Sequence, residues 1–243
     1  MSRPVVFDLF HTLVDPEDFG PCRANRVAEA AAALGADEDA FARYWWETRR
    51  ERSVSNVRAP RNYLQAFASA HGLALDEEAY ARCEARLGAY QSQALLAPRR
   101  ETLEGLTALR AMGAPLGLLS NADACDVRAW EASPLRAYFD AVCFSFEIGA
   151  EKPSAEAYAA VFDALGAAPE DAVFAGDGGS NELQGAREAG VGLVVFVNGF
   201  MAHNGIRTEA ELEAIARSAD ATVPNAAALP RLLAQRTGVL DPR

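Results

Sequence analysis

Short, largely apolar runs recur along the chain at residues 4–10, 115–121, 141–146, 172–176, 191–197 and 221–223. Continuous apolar runs of this length mark strands covered on both faces, as in a parallel sheet. Between them the apolar spacing changes to threes and fours. After Ser154, the positions Tyr158, Val161, Phe162 and Leu165 form a helical stripe that Gly166 stops. Asn181 opens a second helix carrying Leu183 and Ala186, closed by Gly190. Strand followed by helix, repeated, predicts an α/β fold: a Rossmann-like, doubly wound parallel sheet.

The connection between the first two strands departs from this rule, since a simple crossover needs only one helix. One amphipathic pattern there places Phe41, Tyr44, Trp45 and Thr48 together, and another places Tyr80, Cys83, Leu87 and Tyr90 together. The spacing predicts a helical insert at residues 16–96, with residues 1–15 and 97–243 forming the sheet-bearing core. The aromatics of the insert are expected to pack internally rather than to cage a ligand. Phe19, Trp45, Trp46 and Phe67 would otherwise offer apolar surface to a bulky substrate.

Composition narrows the choice of partner. A chain of 243 residues can bury a sizeable core as one large domain or one domain with an insert. Its net charge of −11 disfavours nucleic acid and anionic membranes, which leaves a small molecule as the expected partner. No apolar run reaches membrane-spanning length and no signal-peptide pattern opens the sequence, so a cytoplasmic protein is expected. Cys22, Cys83, Cys125 and Cys143 lack zinc-site spacing and read as reduced thiols.

Four polar motifs follow successive predicted strands: Asp8, Ser120–Asn121, Lys152, and Asp177 with Glu182. In an open parallel sheet, ligands bind in the crevice beyond those strand ends. Lys152 is the only lysine among 23 basic residues, the other 22 being arginine. A compact ammonium kept where arginine is the rule points to a cramped anionic site. Asp8, Asp177 and Glu182 against Lys152 alone leave about two uncompensated negative charges in a partly desolvated crevice. A bound Mg²⁺ would remove that excess, taking hard oxygen ligands that include a backbone carbonyl. Ser120 and the amides of a helix opening after it would then hold phosphate oxygens.

On Asp8 and Thr12 in FDLFHTL, Ser120 in LLSN, Lys152 in EKP, and Asp177 and Glu182 in GDGGSNELQGA, the chain resembles the haloacid dehalogenase superfamily of hydrolases. The resemblance is to the branch with a helical cap after the first motif, and runs from Val5 to about Leu233. It implies that Asp8 is a nucleophile steadied by Lys152, that Ser120 and Lys152 hold the transferring group, and that Thr12 and Asn121 join Ser120 in binding substrate. It further implies Mg²⁺ held by Asp8, the Phe10 backbone carbonyl and Asp177, with Glu182 supporting directly or through water.

Two positions depart from that pattern. Phe10 stands where most phosphatases of the superfamily carry a second aspartate as general acid and base, and His11 replaces the usual glycine. Losing a general acid costs about 10²–10⁴ in rate. A Mg²⁺-dependent phosphatase would therefore use His11 as substitute acid, or take acyl or aryl phosphates with weakly basic leaving groups. A carbon–halogen hydrolase needs no such acid, and the namesake dehalogenases carry an aromatic residue at this position. They also replace Asp177 with serine, have asparagine at Gly179, use no metal, and would need a cap arginine such as Arg49 or Arg50. A Schiff-base phosphonate hydrolase is excluded, because the insert has no lysine. A non-catalytic scaffold that binds a phosphorylated ligand is the third reading.

Overall fold

The computed structural model describes residues 3–55 and 60–236. Six strands form one parallel sheet: β1 (Val5–Phe7), β2 (Leu116–Ser120), β3 (Ala141–Phe144), β4 (Val173–Gly176), β5 (Leu193–Val197) and β6 (Ala221–Val223). Their order is β3-β2-β1-β4-β5-β6. The chain winds outward from β1 in one direction, then returns to its other side with β4. Phe7 pairs with both Leu118 and Ala175, so β1 is central. The crevice between the ends of β1 and β4 is the point where the winding reverses.

All six predicted strands are present, and the apolar runs have the expected physical cause. Val5 and Phe7 face one apolar layer with Val173, Ala175, Val195 and Val197, while Val6, Phe174, Val194 and Phe196 face the other. Successive side chains of a strand point to opposite faces, and here both faces are dry. Full burial of one such side chain contributes about 1.5–3 kcal/mol, so the sheet centre is the anchor of the fold.

Thirteen helices are described: α1 (Cys22–Leu34), α2 (Glu38–Glu47), α3 (Arg49–Val54), α4 (Arg61–Ala70), α5 (Glu77–Leu87), α6 (Ala89–Leu96), α7 (Arg100–Ala111), α8 (Ser145–Ile148), α9 (Ala155–Leu165), α10 (Glu182–Glu188), α11 (Gly199–Asn204), α12 (Glu209–Ala216) and α13 (Leu229–Arg236). The helix expected after Ser154 is α9, ended by Gly166 in the left-handed conformation. No α-helix opens directly after Ser120. Residues 124–129 form turns, followed by a 3-10 turn at Trp130–Ala132.

Helices α1, α2, α4 and α5 build a separate apolar cluster from Val27, Ala30, Phe41, Trp45, Leu64, Phe67, Tyr80, Cys83 and Leu87. Trp45 and Phe67 are thus packing residues. The stripe predicted through Tyr80, Cys83, Leu87 and Tyr90 is divided, because Tyr90 belongs to a new helix that begins at Ala89 after Gly88. A Cβ on Gly88 would sit 2.3 Å from the Cys125 carbonyl oxygen, so this close approach to the core tolerates only glycine. The four cysteines are free and buried. Among the described residues no helix is long and apolar enough to cross a membrane.

The helical region is tied to the sheet by buried polar contacts. Arg52 donates from Nε to Asp123 Oδ2 at 3.0 Å while its guanidinium lies 3.4 Å from the centre of the Trp45 ring. Ser53 Oγ lies 2.9 Å from Ser145 Oγ and donates to Glu151. Removing one partner of a buried ion pair costs about 3–5 kcal/mol, so Arg52 fixes where the helices sit over the sheet.

Candidate active site

Asp8 follows β1 directly, and its amide donates to the Ala175 carbonyl at the end of β4. The residue is buried and both its carboxylate oxygens are held. Lys152 Nζ donates to Oδ1 at 2.5 Å and Thr12 Oγ1 donates to Oδ2 at 2.9 Å. The same ammonium donates to Glu182 Oε2 at 2.6 Å, so the single lysine bridges two buried acids. A guanidinium is a wide planar fork with fixed donor directions, whereas an ammonium can face two partners in a narrow slot. Burial works against the charge of Lys152, but Asp8 and Glu182 outweigh it and raise its pKa.

Asn121 explains how Lys152 is aimed. Its side-chain amide donates to the Lys152 carbonyl at 2.8 Å and accepts from the Lys152 amide at 2.7 Å. Asn121 was expected to contact substrate; it lines the cavity, and its amide also holds the lysine backbone. Thr12 was expected to do the same, yet it is buried, bonded to Asp8, and absent from the cavity lining. Ser120 is buried and lines the cavity, as expected.

The loop after β4 completes an acid cluster. Asp8, Asp177 and Glu182 each offer a carboxylate oxygen within 4.8 Å of the others, and all three are buried. Glu182 Oε1 accepts from the Gly178 amide at 3.0 Å. A Cβ at Gly176 would lie 2.1 Å from that oxygen, so glycine at the end of β4 makes room for the carboxylate. Burial and then the Asp8 charge push Glu182 well above its ordinary pKa, against the pull of Lys152. The same two causes raise Asp177, against the pull of Arg207.

Arg207 is the residue that the sequence did not reveal. Its guanidinium donates to the Asp177 carbonyl at 3.0 Å and to Asp177 Oδ2 at 3.2 Å. The cluster therefore has two cations rather than one, and the excess falls to one negative charge. The donor set still suits a hard divalent ion: three buried carboxylates, two of them raised in pKa by burial and then by the Asp8 charge, retain accepting lone pairs. Each of the three carboxylates accepts on both oxygens: Asp8 from Lys152 and Thr12, Asp177 from Gly179 and Arg207, and Glu182 from Lys152 and Gly178.

His11 sits in the tight loop after Asp8, with a left-handed backbone at φ 63°. It lines the cavity, and its Nδ1 donates to Asp15 Oδ1 at 2.9 Å. Burial alone would lower its pKa; the Asp15 hydrogen bond and the charges of Asp15, Asp177 and Asp8 outweigh that and raise it. Asp15 was not singled out by the sequence pattern. Phe10 also lines the cavity and presents no titratable group there.

The cavity enclosed by these groups has a volume of about 530 Å³. From the helical region it is lined by Arg23 and Arg49, and from the segment after β5 by Met201, Ile206, Arg207 and Glu211. Arg50 points elsewhere, being 83% exposed beside Glu151. Phe19, Trp45, Trp46 and Phe67 do not line it. The lining is polar and charged, which fits a small anionic ligand.

Residues 3–190 match the family model of haloacid dehalogenase-like hydrolases. A glyceraldehyde 3-phosphate phosphatase from Methanopyrus kandleri is 35% identical over 101 residues, covering 40% of this chain and 42% of that protein. The chain thus spans less than half the length of that relative. An (S)-2-haloacid dehalogenase from Pseudomonas putida is 26% identical over 181 residues, covering 70% of this chain and 74% of the relative. Among solved structures, a haloacid dehalogenase-type phosphatase from Thermococcus onnurineus aligns with TM-score 0.63 at 23% identity, covering 95% of this chain and 97% of that one. A 2-haloacid dehalogenase from Pseudomonas syringae aligns with TM-score 0.67 at 23% identity, covering 97% and 100%. With its central parallel sheet and the matched motifs at the strand ends, the chain belongs to the haloacid dehalogenase-like hydrolases, a family of enzymes.

Proposed function

We propose that the protein is a Mg²⁺-dependent phosphatase of small phosphorylated metabolites, working through a phosphoryl group carried on Asp8. The observation that carries this reading is the buried cluster of Asp8, Asp177 and Glu182, which keeps a net negative charge after Lys152 and Arg207 are counted. Asp8 and Asp177, with the Phe10 carbonyl, would hold the ion. When bound, it supplies positive charge beside the phosphoryl oxygens, where charge stabilisation is worth several kcal/mol.

In this reading the Asp8 carboxylate attacks phosphorus while Lys152 keeps it oriented, and Ser120 faces the phosphoryl oxygens. His11, on the same cavity, takes over proton transfer from the position that Phe10 cannot serve. The helices at residues 16–96 act as a cap over the core of residues 1–15 and 97–243, closing the cavity with Arg23 and Arg49.

A second reading, (S)-2-haloacid dehalogenase-type hydrolysis, is favoured by Phe10 and by Arg49 on the cavity wall. One assay separates the two. The phosphatase reading expects turnover of p-nitrophenyl phosphate that requires Mg²⁺ and stops with EDTA. Metal-independent release of chloride from 2-chloropropionate, without phosphatase turnover, would replace it by the second.

A further inference from the structure

A buried polar side chain without a partner calls for an explanation. Four such atoms occur among the described residues: Arg26 Nε, Gln91 Oε1, Ser92 Oγ and Ser154 Oγ. Arg26 and Gln91 line one pocket together, and neither serine does. Resting on the phosphatase reading, we propose that this pocket takes the alcohol end of the substrate, with Gln91 and Arg26 recognising a neutral hydroxyl group there. The substrate class is then a phosphomonoester of a short diol or polyol.

The pocket has a volume of about 170 Å³ and adjoins the cavity at Asp8, since Phe10, His11 and Arg23 line both. Arg23 is exposed, and its guanidinium has no hydrogen-bond or ion-pair partner among the described residues. That part of the shared boundary is therefore free to move aside for a ligand. Gln91, on α6, is 5% exposed, and glutamine is seldom buried without a donor for its oxygen. Arg26, on α1, is held at one end only. Its Nη2 donates to Asp126 Oδ1 at 2.8 Å, which leaves Nε without an acceptor.

One free donor and one free acceptor beside the same pocket call for a group that is both. A hydroxyl is such a group: its hydrogen goes to Gln91 Oε1 and its oxygen accepts from Arg26 Nε. Both protein atoms are closed to solvent, so the Gln91 amide turns to meet the ligand, about a terminal torsion that is broad and soft. Charge argues against a second anionic group at this place. Arg23 and Arg26 are offset on the pocket wall by Glu17 and Asp126, and a carboxylate would bring no hydrogen for Gln91 Oε1. The competing explanation is one water bridging the two atoms, but the pocket is far roomier than one water needs.

Three phosphomonoesters of one chain length test the assignment: n-propyl phosphate, propane-1,3-diol monophosphate, and the phosphate ester of 3-hydroxypropanoate. In the wild-type protein with Mg²⁺, kcat/KM for the diol ester should exceed that for the propyl ester by about 10–100-fold, the effect of two hydrogen bonds, and should also exceed that for the carboxylate ester. Gln91→Met keeps the side-chain length and removes the acceptor. It should lower the diol-to-propyl ratio about tenfold, with a melting temperature no lower than that of the wild type. Should that variant fail to fold, Cys22→Met fills the same pocket from α1 and should lower the ratio as well. A wild-type ratio near one, a preference for the carboxylate ester, or a ratio that a folded variant leaves unchanged would overturn the inference and leave the phosphatase reading intact. Absence of turnover on all three esters and on p-nitrophenyl phosphate would remove both.

Discussion

On the core side of the cavity, Asp8, Lys152, Asp177 and Glu182 are buried and bonded to one another or to the backbone, from three segments that follow the parallel strands β1, β3 and β4. On the helical side, Arg23 and Arg49 are exposed, and Arg49 reaches Glu151 only at 3.9 Å. The first region has one arrangement, fixed by desolvation and paired charge. The second has long side chains free to adapt. On the proposed reading, chemistry that must recur at each turnover would sit where the sheet holds it, and recognition where side chains can follow a ligand.

The largest test of this contrast breaks the rigid side. Asp177→Asn should lower phosphatase kcat/KM by about 10²–10³-fold and remove the thermal stabilisation given by Mg²⁺. Retained Mg²⁺ dependence would place the ion elsewhere. Arg207→Ala probes the same carboxylate from the other direction. Removing a neighbouring positive charge should tighten Mg²⁺ binding about tenfold by titration calorimetry. Weaker binding would mean that Arg207 serves the metal site by holding Asp177 in place. Arg49→Ala tests the adaptable side. It should raise KM a few-fold and leave the melting temperature unchanged, because an exposed pair contributes about 0–1 kcal/mol.

The smallest effect concerns pH. His11 is raised in pKa, so its charged form stabilises the fold fully below the ordinary value of 6.5, and that contribution is lost as pH rises through the raised value. Asp15 is lowered against the cost of its burial, chiefly by the His11 hydrogen bond; its contribution is present above the ordinary 3.8 and lost as pH falls through the lowered value. The pair therefore stabilises most between those limits. Asp15→Asn should lower the melting temperature more at about pH 5.5 than at about pH 9. An equal difference at both would show that the pair carries no proton-linked stability.

The sequence made the rigid side legible because its logic is local. Apolar runs located the six strands, and polar motifs following four of them marked the crevice. Lys152 stood out only because arginine had replaced every other lysine. The misses share another cause, contacts between distant segments. Arg207 is 30 positions from Asp177 in a chain of 22 arginines, and nothing near it distinguishes it from the rest. Asp15 resembles any turn-opening aspartate until Asn204 is brought against it by β5 and α11. Thr12 bonds Asp8 and Asn121 holds the Lys152 backbone, contacts that spacing alone could not show. The break at Gly88 was hidden by apolar spacing that continues across it.

The most direct measurement is mass spectrometry of enzyme quenched in acid during turnover of p-nitrophenyl phosphate with Mg²⁺. The account predicts a phosphoryl adduct on the peptide containing Asp8, absent from Asp8→Asn. Turnover with no adduct on that peptide, or with the adduct on another residue, would contradict it.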